Sequence, residues 1–348
     1  MRQALVLCMF LAGCDRWQTC EDLIDWNIPV SRDGSDEGAD AHVTRAPDGT
    51  IVLAISDPFS AVQFGDRRLQ GAHLAKVSTD GVIEQVVPVS APSQYASIVR
   101  ADALGNVVIA WGGSATTVIG YGADLQQRWS RVAGQGSRLP LDVAPSGQIA
   151  LATTTVDAGQ AMVSLLNLDP DGQTRWERLV GNESIFILQI ADNGDVFSFN
   201  GGPGGMRRTR HAASDGAVLE QLAISTPPQL TLPDGGFFQV GYNPDGSASA
   251  LLTRFASDGR EMWSRTRDVR ALVNPILTTS GDVVAQTSYE AISGPTYRLL
   301  VVDGETGEDR NEVSMCTYQS IFAADAEHYF GLGLIGSPSI GLARFAMP

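Results

Sequence analysis

Three observations predict an all-β chain: a seven-bladed β-propeller of four-stranded antiparallel blades, with the ring closed by an N-terminal strand that completes the last blade. First, the 348 residues contain 37 Gly and 17 Pro, and the apolar residues fall in short runs broken by turn residues, a pattern of many strands rather than of amphipathic helices. Second, the turn Ala256-Ser257-Asp258-Gly259-Arg260-Glu261-Met262-Trp263 has relatives along the whole chain, at intervals of about 45 residues, the length of a blade built from two hairpins. Third, the last copy of this repeat is split between the two ends of the chain.

Taken in order, Met1-Arg2 and the apolar stretch Ala4 to Leu11 form a leader too short to span a bilayer, ending in Leu11-Ala12-Gly13-Cys14. These four residues resemble the lipobox of bacterial lipoproteins. The resemblance implies removal of residues 1–13, lipidation of Cys14, and a propeller held by a short tether, residues 14–22, in the bacterial cell envelope. Asp15 resembles the signal for retention at the inner membrane. Outer-membrane and cell-surface locations stay open. In such a compartment disulfides persist, and Cys20 and Cys316 are the two thiols left over. They form a candidate disulfide. The repeat register places them towards opposite faces, farther apart than a bridge allows, whereas a shifted register in the sixth blade would bring them together.

The propeller occupies residues 23–348. Leu23-Ile24-Asp25-Trp26-Asn27-Ile28-Pro29-Val30 has the Trp-bearing pattern of a fourth blade strand, and Leu342-Ala343-Arg344-Phe345-Ala346 has that of a third. Residues 23–30 are therefore expected to pair antiparallel with 340–346 and close the ring. The acidic, Gly-rich stretch Ser31 to Asp40 lacks the terminal Glu and flanking helices of a calcium loop and reads as a connector. Blades follow at 42–90, 97–133, 140–181, 184–225, 229–270, 272–315 and 321–348. Each has one turn before a strongly apolar strand, as in Pro47-Asp48-Gly49 before Ile51-Val52-Leu53-Ala54. A second turn, such as Asp171-Gly172 before Trp176, precedes the outermost strand. Near-continuous apolar strands are buried on both faces. Trp26, Trp129, Trp176 and Trp263 share one position of the repeat and are expected to pack between blades. Trp111, beside Gly112-Gly113, is expected near the channel mouth, and Trp17 lies outside the repeat.

The Asp-Gly turns followed by a Trp-bearing strand resemble the repeat of the PQQ-like, or quinoprotein-like, propellers, a group that includes the lipoprotein subunit of the outer-membrane β-barrel assembly machinery. This resemblance covers nearly all of the chain beyond the leader. It implies either a non-enzymatic interaction scaffold for envelope proteins, or an envelope enzyme (hydrolase, lyase or quinone-type oxidoreductase) with its site at the channel mouth. No residue matches a quinone site, so no cofactor is expected.

A net charge of −15 argues against nucleic acid, which is bound through Lys and Arg. His42, His73, His211 and His328 lie in different repeats, without metal-ligand spacing. No Gly-x-Ser-x-Gly elbow occurs, and Gly336 to Gly341 reads as a hairpin loop. Lys76, the sole lysine, shares a repeat position with Arg254 and Arg344 and is expected to be structural. The local anomaly is Gly201-Gly202-Pro203-Gly204-Gly205-Met206-Arg207-Arg208-Thr209-Arg210-His211. It lacks the Gly-Lys-Ser/Thr and following helix of a phosphate loop. Arg207, Arg208 and Arg210 give the fourth blade a basic strand, readable as a strand paired with acidic neighbours or as a docking patch for an anionic partner or lipid headgroups.

Overall fold

The structure is a computed structural model and describes residues 24–32, 40–57, 60–89, 95–136, 140–157, 160–202, 204–242, 249–269, 271–291, 294–315, 319–324, 327–334 and 340–346. Cys14, Trp17, Cys20, Cys316 and the loops 33–39 and 335–339, with the lipidation, disulfide and loop assignments that fall on them, lie outside the described residues.

All the described elements are strands, and they build seven blades. The closing strand β1 (Ile24–Arg32) comes first. Blade one holds β2 (Asp40–Arg45), β3 (Ile51–Ser56), β6 (His73–Val77) and β7 (Ile83–Pro88), with a hairpin, β4 (Ala61–Phe64) and β5 (Arg67–Gln70), inserted between β3 and β6. Blade two is β8 (Tyr95–Ala101), β9 (Val107–Tyr121) and β10 (Gln127–Gly136). Here β9 supplies both middle strands: its first half pairs with β8 and its second with β10. Ile109 and Ile119 lie in one cluster with Val107 and Tyr121, which requires the element to double back on itself.

Blade three is β11 (Leu141–Val143), β12 (Ile149–Asp157), β13 (Gln160–Leu168) and β14 (Thr174–Gly181). Blade four is β15 (Ser184–Ile190), β16 (Val196–Gly202), β17 (Gly205–His211) and β18 (Val218–Ile224), and blade five is β19 (Leu230–Thr231), β20 (Phe237–Tyr242), β21 (Ala250–Phe255) and β22 (Glu261–Arg267). Blade six is β23 (Ala271–Leu277), β24 (Val283–Ala291), β25 (Gly294–Val302) and β26 (Asp309–Ser314). Blade seven is β27 (Gln319–Ala324), β28 (His328–Leu334), β29 (Ile340–Ala346) and the returning β1.

The expected closure is present. β1 pairs antiparallel with β29, from Ile24 opposite Phe345 to Pro29 opposite Gly341. Beyond that point β1 continues past blade seven, and Val30, Ser31 and Arg32 pair with Phe64, Gln63 and Val62 of the inserted hairpin. The closing strand thus stitches blade seven to blade one through backbone bonds on both sides, a feature outside the repeat pattern.

Because each sheet is apolar on both faces, its side chains are buried against the blade before and the blade after. Among the described residues seven separate hydrophobic clusters result, one at each joint between neighbours. Trp111, expected near the channel mouth, is instead fully buried in the cluster between blades one and two. The fold-back of β9 turns it into that joint.

A second device pins the joints. The outermost strand of one blade sends a side chain to the last turn of the next. Trp129 Nε1 donates to the Pro170 carbonyl at 2.9 Å, and its ring lies over Gly172, where an added Cβ would come within 2.6 Å of the indole. Only glycine admits such an approach. Trp26 donates to Thr79 at 2.8 Å, Trp176 to Ala213 at 3.1 Å and Trp263 to Gly304 at 3.2 Å, each ring over the turn glycine. Cations of the third strand reinforce two of these turns: Arg344 donates to the Thr79 carbonyl and Arg254 to that of Gly304.

Two joints use substitutes. At the position of the tryptophan, Gln85 donates through Nε2 to the Asp124 carbonyl at 3.0 Å, and the facing turn carries Leu125 at φ 56° where the others carry glycine. At the joint of blades four and five, Leu222 packs on Gly259 and Arg208 reaches the Ser257 carbonyl at 2.5 Å. Blade six carries Asn311 at this position. It faces a blade whose third and fourth strands, β29 and β1, are not joined by a turn.

Candidate functional site

Side chains alternate across a strand, so β17 splits its residues between two joints. Arg208 and Arg210 face blade five, whereas Arg207, Thr209 and His211 face blade three. The three arginines therefore do not make one surface. Arg208 is 1% exposed. Its guanidinium lies over the rings of Phe197 and Phe237 at 4.9 and 5.6 Å and pairs with Glu220 at 3.0 Å. Burial lowers its pKa, and Glu220 opposes that shift. Arg210 pairs with Asp195 at 2.6 Å. Arg207 pairs with Glu183. Arg207 and Arg210 are half-buried, so each reaches solvent on a different side of the sheet.

On the face towards the preceding blade, blade four departs from blades one to three, as does blade five with Gln239 opposite Thr253. At the equivalent positions of strands two and three, blade one carries Leu53 and Ala75, blade two Ile109 and Ile119, and blade three Leu151 and Leu166. Blade four carries Ser198 and Thr209, followed outward by Asn200 opposite Arg207 and preceded by His211 opposite Val196. Accordingly, the cluster at the joint of blades three and four receives no side chain from β17, the third strand of the later blade. Each other joint receives at least one from the corresponding strand.

Polar residues leave the two sheets incompletely filled, and a cavity of about 290 Å³ opens between them. Its floor is formed by His211, Thr209 and Asn200, its apolar wall by Val180, Ala217 and Val218, and its rim by Arg178 and Arg207. Asn200 and Thr209 are each 2% exposed. Asn200 Oδ1, Thr209 Oγ1 and Arg207 Nε are buried without a hydrogen-bond partner. Among the described residues no carboxylate lines the space, although the chain as a whole is acidic. His211 is held by Ser198 Oγ at 3.1 Å from Nε2 and by the Gly216 carbonyl at 3.3 Å from Nδ1. Burial lowers its pKa from the ordinary 6.5, and the Arg178 charge acts in the same direction. Ser198 is itself fully buried and does not line the cavity, so the Ser198–His211 pair does not present a nucleophile to it.

A second polar feature lies on the innermost strands. Asp142 of β11 accepts the Ile190 N–H of the next blade at 2.8 Å, and Arg100 of β8 acts on it from the preceding blade. Burial pushes the Asp142 carboxyl up and lowers Arg100, while the mutual attraction opposes both shifts. Of the other histidines, His73 Nδ1 is 3.4 Å from the Gly71 carbonyl and His328 Nε2 is 3.5 Å from Asp25. Among the described residues, no three metal-ligating side chains converge. Lys76 Nζ lies 4.0 Å from Glu84 of the neighbouring strand.

No family model and no curated protein matches the chain. Solved structures similar to it include a quinohemoprotein alcohol dehydrogenase from Pseudomonas putida HK5, at 10% identity and TM-score 0.47, covering 93% of this chain and 77% of that one. A protein of unknown function from Bacteroides caccae is similar at 13% identity and TM-score 0.42, covering 70% and 89%. Likeness at this level transfers neither residues nor activity. The propeller assignment rests on the strand pairing itself.

Proposed function

We propose that the protein is a lipid-anchored propeller of the bacterial cell envelope that acts as a non-enzymatic scaffold for other envelope proteins. The observation that carries this reading is the double fastening of the ring. β1 closes it through backbone pairing on both sides, and side chains of one blade grip a turn of the next at most of its joints. A frame held this way presents its loop faces in fixed relative positions, so a partner meets a surface already organised for binding. Anchorage through Cys14 is the lipobox reading of the sequence.

Two experiments test it. Crosslinking in intact cells should capture the same few envelope proteins repeatedly, and capture of no protein above background removes the scaffold role. Cys14→Ser should move the protein from the membrane to the soluble fraction, and an unchanged membrane share removes the anchor.

A second reading, an envelope enzyme with its site at the channel mouth, is favoured by Asp142 and Arg100, a carboxylate with a raised pKa beside a cation on the innermost strands. If Asp142 only staples blades, Asp142→Asn lowers stability and leaves partner capture intact at temperatures where the variant is folded.

A further inference from the structure

We propose that the cavity between blades three and four is a binding site for a small organic hydroxycarboxylate, an anion with a carboxylate and hydroxyl at one end and a short apolar tail at the other. This does not depend on the scaffold reading.

Four features of the cavity argue for this class. Its lining, among the described residues, contains two guanidiniums and no carboxylate. Glu183 pairs with Arg207 and lies 3.5 Å from Asn200 Nδ2, so the attraction for an anion rests mainly on Arg178, in a protein of net charge −15. The buried groups lacking partners include two donors, Thr209 Oγ1 and Arg207 Nε, and an acceptor, Asn200 Oδ1. A carboxylate satisfies the donors and a neighbouring hydroxyl satisfies the acceptor, and buried polar groups without partners are costly enough for such exchange to drive binding. An ammonium in place of the hydroxyl would be set against Arg178 and Arg207. The wall of Val180, Ala217 and Val218 offers contact to an alkyl tail and none to the remaining oxygens of an inorganic ion. Finally, the available space of about 290 Å³ corresponds to roughly ten water volumes, enough for a molecule of that kind and too little for a peptide segment of several residues.

The site is also accessible and held in place. Leu179 and Val218 are exposed at its edge, so the cavity opens laterally on the outer wall of the ring. Arg178 Nε is fixed by the Asp215 carbonyl at 2.9 Å, and Arg207 is held by Glu183, which also lies 3.5 Å from Asn200 Nδ2. Both cations are thus kept in fixed positions at the mouth.

Calorimetric titration of the purified full chain with 2-hydroxyisocaproate tests this. One-site saturable binding is expected, together with a rise in the thermal midpoint, and the neutral amide of the same acid should give neither. Thr209→Val, which preserves shape, and Arg178→Gln, at an exposed position, should each weaken binding by about tenfold or more while the unliganded variants still unfold in a single cooperative transition. Val218→Trp, also at an exposed position, should block the entrance. Absence of saturable binding up to about 10 mM, where affinity would be negligible, overturns the proposal. Equal binding of the amide also overturns it, as does full retention of affinity in folded Thr209→Val and Arg178→Gln. Inorganic phosphate competing as well as 2-hydroxyisocaproate would overturn the organic class.

Discussion

His211 shows how a single side chain can make a joint sensitive to pH. Its imidazole is buried between blades, and burial holds its pKa below 6.5. The unfolded chain therefore takes up a proton at higher pH than the folded one does. Between the folded value and 6.5 the unfolded state binds more protons, so stability falls as pH drops through that window. The expected outcome is a lower urea midpoint at pH 5.5 than at pH 7.5 in the wild type and a smaller difference in His211→Gln. Equal differences in the two proteins would rule His211 out as the source. The alternation of β17 was legible in the sequence, since adjacent residues of a strand point to opposite faces. A single patch of Arg207, Arg208 and Arg210 already conflicts with that period. The cavity had a sequence signal as well, in the polar Ser198, Asn200 and Thr209 at positions where blades one to three are largely apolar. What could not be read is that Asn200 Oδ1 and Thr209 Oγ1 would be left without partners, because that depends on the facing blade.

At the level of elements, the joints show that side chains on consecutive blades are matched to one another. Where the turn has glycine, an indole covers it at four joints and Leu222 at the fifth. Where the turn has Leu125, the covering residue is Gln85, which needs no room above the turn. Gln85→Trp alone is expected to destabilise the protein, since the indole would meet the Leu125 side chain. Leu125→Gly alone relieves a left-handed backbone, worth about 1–2 kcal/mol, but removes a leucine buried in the joint, which costs roughly 3–5 kcal/mol. Burial wins, and this variant too should be less stable. The double variant should recover at least about 1 kcal/mol relative to the sum of the two, measured by urea unfolding. Strict additivity would show that the two positions are not matched. The shared repeat position of the tryptophans marks them as packing residues in the sequence alone. Their hydrogen bonds to the next turn were not legible, because spacing along one chain does not reveal which carbonyl lies opposite. The inserted hairpin β4–β5 was likewise hidden, since a regular period describes what blades share and not what one blade adds.

For the whole molecule, the decisive fact is that the two ends of the propeller meet in one sheet. Asp25 and Arg344 are 319 positions apart in the chain and form a 2.8 Å hydrogen-bonded ion pair. The split repeat made this closure legible, because a third-strand pattern at one end and a fourth-strand pattern at the other can be completed only by each other. Deleting residues 1–32 should expose the unpaired edges of β29 and β4 and remove Ile28 and Val30 from a core cluster. A lower, broader thermal transition with aggregation is expected, and an unchanged single transition would mean the ring does not depend on its closing strand.

Closure also sets an order of events in time. During synthesis β1 is made first among the strands, yet its partner β29 is made last, so the newborn chain carries a sticky, unsatisfied ribbon while nearly everything else is being produced. Contacts this distant form slowly, and exposed ribbons of this sort invite mispairing with neighbouring chains. Pro29 and Asp25 within that ribbon are the kind of residues that discourage such pairing, and they guard the seam until its other half arrives.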